Sequence, residues 1–263
     1  MVQQRRPARA LIGLGLLLLP SKGGVPTHHI EAFQDERVRR AVSHSLDRTA
    51  LAEIADGMVA SAVGATHSAE SLSEGELAAD PLHRLDPGES AMLLAAAGYQ
   101  GLAFRIQVAD DPVLRDVAEL VQYQLGVTGF AVELRAEPRD VWAQSFAAGD
   151  FEATVFQMGD LNTPDIGLRL HSSGGLDGDF LPWGYSSPVF DAELMAALSE
   201  LRPDRRAEAL REAQRILLGE VPAMFPLVTP YEVASLGSDV VGYEFNAFEF
   251  NSGWLAADWD RRS

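Results

Sequence analysis

Helix start signals alternate with short apolar runs along this sequence, and this alternation is the feature that most constrains its fold. A capping side chain followed by a first-turn proline occurs at Asp86-Pro87, Asp111-Pro112 and Ser187-Pro188. Each pair precedes apolar residues spaced three and four apart, as on one face of a helix. Strand-like apolar runs lie between the predicted helices, at residues 104–108, 130–134, 153–156 and 224–228. This order predicts an α/β protein whose sheet is covered by helices.

Further helix start and stop signals extend this prediction. Asp35 and Asp47 are predicted to cap two successive helices, and Pro203 to open another. The helix that follows Asp86 is predicted to end at Gly98, with Glu89 closing a capping box. Residues 61–85 are poor in large apolar side chains and predict a long surface excursion, as does the Gly/Asp-rich stretch 172–180.

Composition narrows the function classes. The 263 residues include 38 acidic and 21 basic side chains, giving a net charge of −17 that disfavours nucleic-acid binding. An apolar fraction of 47% is typical of a folded globular protein. Lys22 is the only lysine and cysteine is absent, which disfavours pyridoxal phosphate chemistry and excludes disulfides, thiolate metal sites and cysteine nucleophiles. We therefore expect no cofactor.

The amino end allows two interpretations. Three arginines precede the apolar run 10–19, which is too short to cross a bilayer but has the length of a signal-peptide core. No A-x-A cleavage signal follows it, because residues 20–24 are Pro-Ser-Lys-Gly-Gly. The alternative is a buried strand at residues 14–19 that ends at Pro20.

Six short motifs, in the same order, resemble the carboxy-terminal lobe of the family 5 (peptide/nickel class) ABC-transporter extracytoplasmic solute-binding proteins. They are FQDERVRRA with SLDR (33–41, 45–48), DPGESAMLLAAAGY (86–99), VTGFAVEL (127–134), GDFEA (149–153), GDLNTP (159–164) and WGYSSP (183–188). Each motif alone is weak, but six in order are specific. Arg37, Arg39 and Arg40 of the first motif are expected to pair with carboxylates of the lobe.

The resemblance implies an α/β lobe of the periplasmic-binding-protein type II-like fold, a mixed sheet with helices on both faces. It covers nearly all of this chain but about half of a family member, so the expected product is a truncated carboxy-terminal lobe with the first lobe missing. The implied organisation is a crossing strand or leader-like segment at 1–25, the ligand-binding lobe at 26–230, and a return segment toward the absent lobe at 231–263. In this frame the strand interpretation of residues 14–19 is favoured over the leader.

The resemblance also implies a role for four residues in binding a ligand. Asp160 stands where peptide-binding members pair a carboxylate with the ligand's α-amino group, and Trp183 and Tyr185 lie in a loop that can line the pocket. Gln157 stands where relatives commonly have tryptophan, and Thr163 where they have a second aspartate, which puts peptide specificity in doubt. The alternatives are that Asp160 caps the next helix, and that the two aromatic residues fasten their loop to the lobe.

The implied function is delivery of oligopeptides or similar small cationic solutes to an ABC importer, without enzymatic activity. The expected partners are a small-molecule or peptide ligand and the permease subunits, with no nucleic acid and no membrane span, and the expected location is periplasmic or extracytoplasmic. Two other classes stay open: an acidic-site hydrolase that uses Asp160 with His171, and an inactive fragment. The pair His28-His29 lacks the spacing of a helical zinc site, so we expect no metal.

Overall fold

A computed structural model describes residues 2–7, 13–18, 30–60, 70–158, 164–169, 171–172, 187–220, 224–241 and 260–261. In these residues the helices are α1 (Glu36–Ser45), α2 (Arg48–Ile54), α3 (Glu74–Ala79), α4 (Pro87–Ala96), α5 (Pro112–Val127), α6 (Arg139–Ala148), α7 (Pro164–Arg169), α8 (Pro188–Ser199) and α9 (Pro203–Gly219). The strands are β1 (Val2–Pro7), β2 (Gly13–Leu18), β3 (Gly57–Val59), β4 (Ala103–Ala109), β5 (Ala131–Glu137), β6 (Ala153–Met158), β7 (Met224–Leu236), β8 (Val240–Val241) and β9 (Asp260–Arg261).

Seven of these strands form one mixed sheet. Its order is β1-β7-β2-β6-β4-β5, and β3 pairs with β7 outside this path. β4 is parallel to both β5 and β6, whereas β2 is antiparallel to β6 and to β7. The mixed α/β sheet expected from the sequence is therefore confirmed. β2 lies within the apolar run 10–19, for which the sequence allowed either a strand or the core of a signal peptide.

Both faces of the sheet are covered. Successive side chains of a strand point to opposite faces, and all four residues 153–156 of β6 are buried. Ala153 and Val155 belong to the main core, together with residues of α1, α5, α8 and α9. Thr154 and Phe156 face α6 on the other side, where Trp142 Nε1 donates to Thr154 Oγ1 at 3.0 Å.

The helix start signals act as the sequence indicates. Side chains at five predicted caps accept a hydrogen bond from a backbone N–H of the first turn: Asp35, Asp47, Asp86, Asp111 and Ser187. Pro203 begins α9, although Arg202 before it provides no side-chain cap. The two-sided capping box occurs instead at α3, where Ser73 and Glu76 bond each other's backbone N–H.

The surface excursion predicted for residues 61–85 is wrong over residues 70–85. This stretch contains α3 and a short 3₁₀ helix, Pro81–His83, and its leucines Leu72, Leu77 and Leu82 are buried. Gln214 of α9 holds it down, because its side chain accepts from Leu72 N and donates to the carbonyl of Glu70. Residues 61–69 lie outside the described residues, and of the second predicted excursion, 172–180, only Ser172 is described.

Arg37 and Arg40 of the first family motif pair with carboxylates, as expected. Arg37 forms an ion pair with Asp35 at 2.6 Å, and Arg40 with Glu36 at 2.7 Å. The side-chain hydrogen bonds from Arg37 hold the pKa of Asp35 below its usual range. Arg39 turns back instead, donating to the carbonyl oxygens of Phe33 and Gln34. This motif therefore has a structural explanation within the lobe.

Candidate functional site

The carboxyl ends of β4 and β6 meet at one edge of the sheet, which is where open α/β sheets bind their ligands. Gln157 is the second-last residue of β6 and its side chain is exposed. Leu14 of β2 lies opposite Gln157 in the register, and Val228 of β7 lies opposite Leu14. These three residues form a row across neighbouring strands, and we call this part of the sheet the carboxyl edge.

The structure describes one of the four residues that the sequence assigned to ligand binding. Gln157 lies at the carboxyl edge with its side chain accessible, as a ligand contact requires. Asp160, Trp183 and Tyr185 lie outside the described residues. Their roles as ligand contacts therefore stay predictions. Gln157 is the described residue whose signals can report on ligand binding at this edge.

An acidic residue that the sequence interpretation did not single out also lies at this edge. Val108 of β4 pairs with Val155 of β6, so Asp110 and Gln157 each follow that pair by two residues. The exposed side chain of Asp110 forms an ion pair with Arg115 of α5. The sequence has two aspartates before Pro112, Asp110 and Asp111. Because Asp111 alone accounts for the cap of α5, Asp110 was left without a role, and this was the signal that could have pointed to it.

An aromatic cluster made of Trp142, Phe146, Phe151 and Phe156 supports β6 from behind. The Phe146 ring centroid lies 5.0 Å from that of Trp142, 5.6 Å from that of Phe151 and 5.4 Å from that of Phe156. Gly149 ends α6 with φ +68, a left-handed conformation that glycine adopts without strain, and the chain then returns to Phe151. The GDFEA motif, residues 149–153, is thus the turn between α6 and β6 that brings Phe151 into the aromatic cluster behind β6.

The geometry of His171 disfavours the hydrolase alternative. The residue follows α7 directly and is only 2% exposed. Burial lowers the pKa of its imidazole to about 3, so the ring is neutral at physiological pH. A general base must reach the proton that it removes from a substrate. A ring enclosed in this way is poorly placed for that task.

The described residues contain no group of three or more His, Asp or Glu side chains that could hold a metal ion. His28 and His29 lie outside them. In the same part of the chain, no helix has both the length and the apolar composition needed to cross a membrane.

The sequence model described as bacterial extracellular solute-binding proteins, family 5, matches residues 21–177, which is more than half of the chain. The chain belongs to this family. No curated protein shows significant similarity to it.

Several solved structures share the fold. HbpA2 from Haemophilus parasuis superposes with a TM-score of 0.78 at 19% identity, covering 100% of this chain and 50% of that protein. DppA from Helicobacter pylori in complex with the peptide STSA gives 0.75 at 20% identity, covering 100% and 49%. NikZ from Campylobacter jejuni in complex with Ni(L-His) gives 0.76 at 18% identity, covering 99% and 53%. The chain therefore spans about half the length of these proteins, and at such identities the likeness shows the fold.

Proposed function

We propose that this chain is the carboxy-terminal ligand-binding lobe of an extracytoplasmic solute-binding protein that delivers oligopeptides or similar small cationic solutes to an ABC importer. The observation that carries the proposal is the fold, which matches over essentially the whole chain proteins described with a bound peptide and with bound Ni(L-His). The permease subunits of the importer are its protein partners. No covalent bond is made or broken.

Ligand capture by such a lobe is a closure against a second lobe. We assign residues 26–230 to the lobe and residues 1–25 and 231–263 to the connections toward the other lobe. β2, the crossing strand within residues 1–25, lies inside the sheet of the lobe between β7 and β6. The course of β7 supports this division, because its first residues pair with β2 in the core and its last six pair with β1. The ligand stabilises the closed state only by binding it more tightly than the open state.

The carboxyl edge provides the ligand contacts of this lobe. Asp160 follows β6 within two residues of its end and pairs with the ligand's amine, while Gln157 and the aromatic side chains of Trp183 and Tyr185 line the same pocket. A buried ammonium group loses its hydration, and a fixed carboxylate offsets that loss. The net charge of −17 favours cationic over anionic solutes on approach.

A pair of peptides tests this proposal with the whole 263-residue chain. Trialanine, which has a free α-amine, is expected to shift backbone amide resonances of Gln157 and its neighbours at millimolar concentrations. At equal concentration N-acetyl-trialanine is expected to give smaller shifts, by the about 0 to 1 kcal/mol that an exposed amine–carboxylate pair contributes. Asp160→Asn should abolish the difference between the two peptides. Asp116→Asn removes the same charge from the exposed surface of α5 and should leave the difference unchanged.

Two results would overturn the proposal. Equal shifts with both peptides, or no shifts with either peptide at 20 mM, would contradict the proposed amine-binding site. Release of alanine or dialanine from trialanine would identify a hydrolase instead.

A further inference from the structure

Residues 80–86 fasten the segment that contains α3 to the end of α1, and we call them the α1 latch. Ser43 Oγ donates to the Leu82 carbonyl at 2.6 Å, and His44 Nδ1 donates to the Arg84 carbonyl at 2.9 Å. Both donors are consecutive residues of α1, and none of these bonds involves a strand of the sheet. The α1 latch is therefore a small unit that can open locally, without unfolding of the sheet.

A histidine of the α1 latch is buried next to a buried arginine. The side chain of His83 is 7% exposed, and Arg48 at the start of α2 is 6% exposed. His83 Nδ1 lies 3.9 Å from Asp80 Oδ1, which is beyond hydrogen-bond distance. Asp80 also acts on the charge of Arg48. Among the described residues, this one carboxylate is the anion that favours a positive charge on either side chain.

Asp80 balances Arg48 while His83 is neutral. Burial lowers the pKa of Arg48 only to about 10, so the guanidinium stays charged at neutral and acidic pH. Burial also lowers the pKa of the His83 imidazole, and Asp80 opposes this shift whereas Arg48 adds to it. A protonated His83 would be a second buried cation that shares one carboxylate with Arg48. Such an ion is costly, because buried charges need partners to replace their hydration.

The other charged groups around the α1 latch do not supply a second anion. Arg40 of α1 acts on Asp80 and adds a further positive charge. Protonation of His44 leaves its bond to the α1 latch intact, because Nδ1 is a donor in either state. The nearby acids have other partners: Asp47 caps α2 through Ala50 N, Glu76 of α3 pairs with Arg215, and Asp86 pairs with Arg84.

Release of the α1 latch would place His83 in water, where an imidazole takes up a proton near pH 6.5. Below that pH the released state binds more protons than the fastened state, so acid favours release. We propose that the α1 latch is an acid-sensitive switch, in which protonation of His83 separates residues 80–86 from α1 while the sheet stays folded. This switch acts whatever solute the lobe binds.

The switch has a structural consequence for the lobe. The α1 latch forms one wall of a cavity of about 520 Å³, and the opposite wall includes Val59 of β3. Val59 pairs with Val228, which belongs to the row of residues at the carboxyl edge. Release of the α1 latch therefore opens the lobe beside the candidate ligand site.

Hydrogen exchange of the full 263-residue chain tests the switch. Mass spectrometry at pH 7.5 and pH 5.0, corrected for intrinsic exchange rates, should show that peptides covering 80–86 lose protection severalfold. The limit is about 30-fold, which corresponds to 1.5 pH units below 6.5. At pH 5.0 these peptides should exchange at least tenfold faster than peptides of β4. Unchanged protection of residues 80–86, or protection equal to that of β4 at pH 5.0, would overturn the proposal.

Two variants assign the response to one histidine. His83→Phe keeps a ring at this position that takes up no proton, and should abolish the loss of protection in residues 80–86. His171→Leu removes another buried imidazole outside the α1 latch, and should leave that loss unchanged. An acid response that survives His83→Phe would contradict the proposal. Should His83→Phe not fold, an NMR titration of the parent chain still decides, because a His83 imidazole that titrates at pH 6.5 or above would equally overturn it.

Discussion

Arg40 Nη2 donates a hydrogen bond to the carbonyl oxygen of Gly219 at 3.1 Å, joining α1 to the last residue of α9 across 179 positions of sequence. Arg37 makes the equivalent contact with α4, donating from Nη1 to the Ala96 carbonyl at 2.8 Å. The last carbonyls of a helix lack intrahelical partners, and a cation is favourable at that end of the helix dipole. Arg37 and Arg40 therefore cap the carboxyl ends of α4 and α9, and the carboxylates of Asp35 and Glu36 hold the two guanidinium groups in place.

The first prediction concerns this cap. Arg40→Met should lower the free energy of unfolding by about 1 kcal/mol, because the Gly219 carbonyl loses its donor. Glu36→Gln removes only the ion pair on the surface of α1 and should cost about 0.5 kcal/mol or less. Urea unfolding of both variants provides the comparison. Equal losses would mean that the contact with Gly219 contributes nothing measurable.

The second prediction concerns acid stability. The unfolded chain binds a proton at His171 near pH 6.5, whereas burial lowers the pKa of the folded imidazole to about 3. Between these values the unfolded state binds more protons, so acidification favours unfolding by up to about 1.4 kcal/mol per pH unit. Burial also lowers the pKa of His83, although Asp80 partly opposes the shift. Stability should therefore fall as the pH drops from 7.5 to 5.

His171→Leu isolates the contribution of this histidine. The variant should lose less stability than the parent chain between pH 7.5 and pH 5, measured by urea unfolding at both values. Paired carboxylates such as Asp35 protonate in the unfolded chain only near pH 4, so they do not dominate this window. Identical pH dependence in the two proteins would show that His171 is not buried as described.

The third prediction concerns the aromatic cluster. Phe146→Ala removes the ring that contacts Trp142, Phe151 and Phe156, and should lower the free energy of unfolding by about 2 kcal/mol or more. Tyr123→Ala, which removes an aromatic ring that is 68% exposed on α5, should change it by less than about 0.5 kcal/mol. The fluorescence of Trp142, a member of the cluster, can follow the loss of this packing during chemical unfolding. A loss for Phe146→Ala as small as that for Tyr123→Ala would contradict the supporting role of the cluster.

The sequence predicts the parts of this fold that depend on neighbouring residues. The cap at Asp86 and its helix α4 follow from four consecutive residues, and the strand β4 from a short apolar run. α3 was missed although Ser73 and Glu76 carry a local capping signal, because the excursion was inferred from the scarcity of large apolar residues. The segment before α3 is held by Gln214, 142 positions from Leu72, and this contact has no local signal. The burial of Arg48 was equally hidden, because arginine is mostly exposed in proteins, whereas Arg48 at the start of α2 is 6% exposed and donates to Ser43 of α1. For the ligand site, the strand predicted at 153–156 stops one residue before Gln157, whereas β6 continues to Met158 and includes it. The role of Gln157 as a ligand contact stays a prediction.

The last prediction concerns the affinity of the 263-residue chain for peptides. The solved proteins with this fold are about twice as long, and a closed two-lobed site surrounds most of a small ligand. A polypeptide of these residues alone offers one wall of such a site. The loss of translational and rotational freedom on binding still costs several kcal/mol, roughly, and fewer contacts remain to offset it.

The proposed pair between Asp160 and the ligand amine would also be weakened by solvent in a one-walled site. An exposed ion pair contributes about 0 to 1 kcal/mol, far less than an enclosed pair. Calorimetry against a peptide library should therefore show no affinity tighter than about 1 mM, which corresponds to about −4 kcal/mol. A peptide that binds at micromolar concentration would contradict this expectation. It would mean that one lobe suffices for tight binding or that a second copy of the chain supplies the opposite wall, and sedimentation velocity with that peptide would distinguish the two.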